Sequence, residues 1–226
     1  MYDLYRVATL EEQNFYEHTL YPLQDLVFDI VRTYGSDLYL KGGTALARFH
    51  FSHRLSEDLD FFTTTDNLQV IANDLRLKLI QQGFEVETDQ LSVYFSRFYL
   101  LDDDVRLKIE FAKELHLIDP LEQTEKQIFI NSLEDIGANK ISAFEDRATI
   151  KDLVDLYYIT QQIPLTRLFE LAHMKRVPVA YEQLLTINTM GLTGNAFLTR
   201  MLPEEGLSAF LQTLVEQTEL EVKKKS

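Results

Sequence analysis

Residues 41–62, KGGTALARFHFSHRLSEDLDFF, constrain this chain more than any other stretch, because a glycine pair opens a short helix and an Asp-Leu-Asp-Phe strand follows it. Gly42 and Gly43 carry no Cβ, so their amides can approach an anion closely, and a helix beginning near Thr44 adds unpaired N–H groups. Main chain alone can then cradle a phosphate. In an extended strand residues two apart share a face, which puts Asp58 and Asp60 on one side and Leu59 and Phe61 on the core side. Paired carboxylates supply the hard oxygen ligands that Mg²⁺ takes beside phosphate and water. Either half alone reads equally well as a turn or a solvated strand end; the order of the two is the signal. Thirteen residues separate Thr44 from Asp58, enough for a helix of about two or three turns and a returning strand.

A third acid lies on Val105-Arg106-Leu107-Lys108-Ile109-Glu110-Phe111, which alternates with period two as a half-buried strand does. Beside the Asp58 strand, Glu110 completes a three-carboxylate set, and Lys108 neutralises phosphate or surplus carboxylate charge. Without the Asp pair the same pattern is an ordinary amphipathic strand. Arg54 and Ser56 fall in step with Asp58 and Asp60 if that strand begins early, which would let Ser56 touch phosphate and Arg54 orient a carboxylate.

Periodicity predicts a helix over 10–33, a short strand over 38–40 feeding the glycine turn, and a helix over 67–82 stopped at Gly83. Strands follow at 84–87, 91–101 and 105–111, the last two joined as a hairpin through Asp102-Asp103-Asp104. Beyond Pro120 the pattern is helical, with segments at 133–146, 150–162, 164–175, 180–188 and 204–222 and a solvated Lys223-Lys224-Lys225 tail. The expected class is α+β, a mixed sheet flanked by helices over residues 1–125 and a helical domain over 126–226 that walls the cleft. Lys140 and Arg147 share a helix face with Phe144 between them. Thr149-Ile150-Lys151-Asp152 has capping-box spacing, and Lys151 with Asp155 is spaced for a weak exposed ion pair. His50 and His53 are three apart but have no third soft ligand, which argues against a metal site there.

The order of these motifs resembles the nucleotidyltransferase superfamily that includes DNA polymerase beta: a strand into Gly-Gly-Thr, Asp-hydrophobic-Asp, then Ile109-Glu110-Phe111. More narrowly, Lys41-Gly42-Gly43-Thr44-Ala45-Leu46 and Arg54-Leu55-Ser56-Glu57-Asp58-Leu59-Asp60-Phe61 are similar to the AbiEii/AbiGii-type toxins, as are Asn139-Lys140-Ile141, Arg147 and Lys151-Asp152-Leu153-Val154-Asp155-Leu156. The matching motifs span residues 37 to 160. Thr44 stands where the superfamily often has serine, and keeps the hydroxyl. The resemblance implies transfer of a nucleoside monophosphate from an NTP to a hydroxyl, with one or two Mg²⁺ ions on Asp58, Asp60 and Glu110. It assigns nucleotide contacts to Lys41, Gly42, Gly43, Thr44, Ser56, Lys140 and Lys151, and a catalytic part to Asp152. It also implies the tRNA 3′ end as acceptor and a separate antitoxin as partner.

A formal net charge of −14 pulls against a nucleic-acid acceptor, since Lys and Arg at phosphates supply most of that affinity. An acidic surface suits a cationic small molecule such as an aminoglycoside, so that acceptor stands as the alternative, as does a non-catalytic module of the same fold. The chain has no cysteine, which excludes disulfides and thiolate metal sites. No signal-peptide pattern opens the sequence and no long apolar run crosses it, so a cytoplasmic protein without membrane contact is expected.

Overall fold

The computed structural model describes residues 4–175, 177, 179–203 and 205–225. Its elements in chain order begin with strand β1 (Tyr5–Val7), helices α1 (Leu10–Phe15) and α2 (Tyr21–Val31), β2 (Tyr39–Lys41), α3 (Gly42–Ala45), β3 (Leu59–Thr63) and α4 (Leu68–Gln81). Strands β4 (Glu85–Leu91), β5 (Phe95–Asp102), β6 (Val105–Lys113), β7 (Glu122–Gln123) and β8 (Phe129–Ile130) follow. The rest is α5 (Leu133–Arg147), α6 (Ile150–Ile159), α7 (Leu165–Met174), α8 (Tyr181–Thr186), β9 (Ala196–Leu198) and α9 (Gly206–Lys225). The chain is α+β, as its periodicities predict. It divides into two compact units: a sheet unit of Thr9–His50 and Ser56–Ser132, and a helical unit of the chain up to Ala8, Phe51–Leu55 and Leu133–Ser226.

The sheet unit is built on seven strands in the order β4-β5-β6-β3-β2-β8-β7, with β3–β6 and β2–β8 parallel and the other pairs antiparallel. Leu59 and Phe61 of β3, Ile109 and Phe111 of β6, and Phe98 and Leu100 of β5 are all fully buried on the face that packs on α4. Phe61 and Phe98 flank Phe111 with ring centroids 5.7 and 5.3 Å away, and Phe28 of α2 meets Phe61 edge-on at 6.4 Å. This aromatic row fixes the register, because a slip of one residue would turn it out to the polar face. The β5–β6 hairpin turns at Asp103 and Asp104 with Asp102 paired to Val105, and Asp103 takes the left-handed φ of 47° that aspartate tolerates.

The helix expected over 10–33 is interrupted by a π-turn at Tyr16–Leu20, where the Tyr21 amide bonds to the Tyr16 carbonyl. Pro22, which has no N–H to return to the turn before it and whose ring disfavours a regular turn there, follows directly on the widening. In the helical unit, β1 and β9 form a parallel ribbon, and Phe51–Leu55 joins it through Leu55 N–H to the Phe197 carbonyl at 2.8 Å. Helix α5 approaches α7 so closely that a Cβ on Gly137 would lie 2.7 Å from Leu168 Cδ2. The lysines expected as a tail lie instead in the last turns of α9, which runs through Lys225.

Candidate active site

On the polar face of the sheet the register sets charged residues in two rungs. Asp60 is the partner of Lys41 on β2 and of Glu110 on β6, and Glu110 is the partner of Arg97 on β5. One rung along, Lys108 is level with Asp58, the residue just before β3: its Nζ lies 2.9 Å from Asp58 Oδ2 and 3.5 Å from Glu110 Oε2. Arg97 Nε donates to Glu110 Oε1 at 2.6 Å. Burial works against the Lys108 ammonium, but Asp58, Glu110 and Asp60 outweigh it and hold its pKa above the ordinary value. Asp58 is the more open acid, its side chain 43% exposed against 19% for Glu110.

The glycine turn completes this site. Gly42 adopts φ of 73°, and a Cβ there would sit 2.8 Å from Asp60 Oδ2, so glycine is required by both conformation and space. Thr44 Oγ1 lies 2.8 Å from Ser56 Oγ and also reaches the Asp58 carbonyl. Gln24 Nε2 donates to the Ser56 and Glu57 carbonyls at 3.1 and 2.9 Å. These bonds pin the approach to β3, which begins only at Leu59. The early strand that would align Arg54 and Ser56 with Asp58 is therefore not formed: Ser56 is buried against Thr44, and Arg54 belongs to the helical unit.

Lys41 turns along the sheet, its Nζ 2.5 Å from Glu114 Oε1 and 4.5 Å from the Phe62 ring centre. Tyr39 Oη and Asn131 Nδ2 donate to Glu114 Oε2 at 2.7 and 3.2 Å, so Lys41, Tyr39 and Asn131 all hold this buried carboxylate. Asp58, Asp60 and Glu110 offer hard oxygen donors on one face, and the Lys108 ammonium between two of them is a stand-in cation, so the donor set fits a divalent ion of the Mg²⁺ kind. Among the described residues no three His, Cys, Asp or Glu side chains are gathered tightly enough to hold a metal as they stand.

In the helical unit a second charge cluster is buried apart from Arg147, whose side chain is 53% exposed. Asp155 accepts from Arg54 Nε at 2.7 Å and Nη2 at 2.9 Å, and lies 2.7 Å from both His53 Nε2 and Lys140 Nζ. Lys140 also meets Asp152 at 2.7 Å, and Asp152 takes Arg147 Nη2 at 2.9 Å and the Thr149 hydroxyl at 2.6 Å. The Thr149–Asp152 cap forms as the spacing predicts. Asp155 does not meet the condition of exposure for the weak Lys151 pair, being wholly buried. Burial pushes its carboxyl upward, but Arg54, Lys140 and His53 more than reverse this and hold it well below the usual range. Burial pushes His53 below its ordinary value against the pull of Asp155, so the ring stays neutral.

Two partners in the sheet unit escape motif reading. Arg97 sits on a strand whose alternation is plain, and counting back from a two-residue turn at Asp103-Asp104 places it opposite Glu110. Glu114 lies past the end of the alternating run, with no local pattern to mark it.

A glycine turn abutting an Asp-x-Asp strand, with a third acid on the neighbouring parallel strand, is the arrangement of the nucleotidyltransferase fold. The nucleotidyltransferase toxin MenT4 of Mycobacterium tuberculosis superposes with a TM-score of 0.63 at 18% identity, covering 88% of this chain and 82% of that one. JHP933 from Helicobacter pylori gives 0.61 at 20% identity, covering 96% of this chain and 97% of its own. An uncharacterized Aquifex aeolicus protein is 28% identical over 131 residues, 56% of this chain and 59% of that relative's length. The family described as nucleotidyl transferase AbiEii toxin, type IV TA system, matches residues 25–225, and the chain belongs to it.

Three outcomes follow from this geometry. Gly42→Ala is expected to destabilise the protein by about 1–2 kcal/mol in urea unfolding, from the left-handed backbone alone. Asp155→Asn leaves Arg54 and Lys140 buried without their shared anion, and chemical unfolding should register a loss of about 3–5 kcal/mol. For pH the sign is the same for both buried groups. The depressed Asp155 carboxyl contributes fully above its ordinary 3.8, begins to lose that contribution as pH falls below 3.8, and has lost it once pH is below its folded value. The depressed His53 begins to cost stability as pH falls below its ordinary 6.5, where the unfolded chain takes the proton first. Thermal melting between pH 7 and 5 should therefore drop, and His53→Gln, which keeps a donor to Asp155, should flatten that slope.

Proposed function

We propose that the chain transfers a nucleoside monophosphate from an NTP to a hydroxyl acceptor, releasing pyrophosphate. The observation that carries this reading is the register that sets Asp60 beside Glu110, with Asp58 on the same face and the Gly42 backbone against the Asp60 carboxylate. Family membership supports it. Asp58, Asp60 and Glu110 would hold Mg²⁺, as one ion or two, and the metal would supply charge neutralisation and a lowered pKa for the acceptor hydroxyl.

The remaining work falls to the chain's own residues. The Gly42 and Gly43 amides face the outer phosphates, and the Thr44–Ser56 pair holds the turn against the Asp58 carbonyl so that the cradle keeps its shape. Lys41, braced by Glu114, fixes the strand that enters the turn. As the acceptor oxygen bonds to the α-phosphorus, the bond to the bridging oxygen breaks and pyrophosphate leaves in line; the hydroxyl proton passes to the carboxylate set. Lys108 offsets charge that develops on the phosphate. Lys140, Lys151 and Asp152 are assigned nucleotide-binding and catalytic parts on the resemblance alone.

The acceptor we favour is the tRNA 3′ end, with the chain acting in the cytoplasm as the toxin of a toxin–antitoxin pair. Among the described residues no helix is long and apolar enough to cross a membrane. The charge of −14 favours the second reading, an aminoglycoside-type acceptor. Incubating the protein with Mg²⁺, each α-labelled NTP in turn, and either total tRNA or an aminoglycoside separates them. Label should enter tRNA, and Asp60→Ala should reduce it by about a thousandfold or more. Label on the drug alone selects the second reading, and transfer to no acceptor under any NTP overturns both.

A further inference from the structure

Lys108 occupies an unusual place for a lysine in a metal-dependent site. It is two residues before Glu110 on β6, so both side chains leave the same face of the sheet, and the parallel pairing with β3 sets Asp58 and Asp60 alongside them. Its Nζ sits 2.9 Å from Asp58 Oδ2 and 3.5 Å from Glu110 Oε2, between acids on two strands. Glu110 is also held from the other side by Arg97 at 2.6 Å. Arg97 is shared with Asp89, whose Oδ2 lies 3.1 Å from its Nη1, so Lys108 is the cation placed among the site acids themselves, between Asp58 and Glu110.

We propose that the Lys108 ammonium is a resident counter-ion that excludes a divalent metal from Asp58 and Glu110 until the nucleotide arrives, making metal and NTP bind together. The inference rests on the metal-dependent reading above. An ammonium at hydrogen-bond distance from Asp58 and a divalent ion on the same carboxylate compete, since the two cations repel at close range. A triphosphate changes the balance in two ways. It brings further oxygen ligands and negative charge for the metal, and it offers the displaced ammonium a new anionic partner within reach of its long, flexible stem. Arg97 stays on Glu110 throughout and keeps it turned toward β5, so Lys108 is the cation that moves.

The test is Mn²⁺ binding followed by the loss of the free-ion electron paramagnetic resonance signal, without nucleotide and with a non-hydrolysable NTP analogue. Without nucleotide, Lys108→Met should bind Mn²⁺ about tenfold or more tightly than the natural protein, because a repelling unit charge has been removed at contact distance. With the analogue present the gap should close. Lys108→Arg, which restores the cation, should bind bare Mn²⁺ as weakly as the natural protein. Circular dichroism melting identifies any variant that is misfolded, and Lys108→Gln then replaces Lys108→Met. If Asp60→Asn abolishes Mn²⁺ binding while removal of the Lys108 charge leaves it unchanged, the metal site stands and the counter-ion proposal is overturned. If Asp60→Asn leaves Mn²⁺ binding unchanged, the metal reading of the site fails, and the proposal with it.

Discussion

Asp60 and Glu110 are direct neighbours on parallel strands, and the site is arranged around that repulsive pair. Like charges facing each other across a sheet destabilise it, so the fold surrounds them with compensation: Arg97 on the outer side of Glu110, Lys108 one rung away, and the Gly42 backbone pressed against Asp60. None of these would be needed on a merely structural strand pair. The aromatic row on the opposite face makes the arrangement hold, because Phe61, Phe98 and Phe111 stay buried in only one register, and that register places the acids side by side.

The helical unit handles charge in the opposite way. Asp155 is withdrawn wholly from water, and Arg54, His53 and Lys140 together consume both its oxygens, while Lys140 spans to Asp152. Such a cluster costs desolvation and returns it only when each partner is present. It therefore fixes the positions of Phe51–Leu55 and α6 within that unit more firmly than apolar packing alone would. The open acids of the sheet unit and the buried acid of the helical unit are built for different ends, one left partly hydrated and one fully satisfied.

Much of this was legible along the chain. Period-two alternation located β6, the glycine pair and Asp-x-Asp located the turn and β3, and capping spacing located the start of α6. These are local signals, set by which side chains must face a core and which backbone positions need glycine. The π-turn before Pro22 was also local in cause, but a helical periodicity alone does not register it. The short strands β1 and β9 leave no pattern, since three residues are too few to establish an alternation. Arg54 has the period of the Asp strand, but its charge meets a buried anion 101 residues away.

By itself, the sequence determined the α+β class, the glycine turn, β3 and β6, because alternation and glycine chemistry act over a few residues. Tertiary structure decided the neighbours. That Glu110 is shared between Arg97 and Lys108, that Asp60 leaves no room for a Cβ at Gly42, and that Asp155 is the anion of Arg54 and Lys140 all depend on strand order and burial. Those are long-range outcomes of packing, and no run of residues encodes the distance between two chain segments until the core between them has closed.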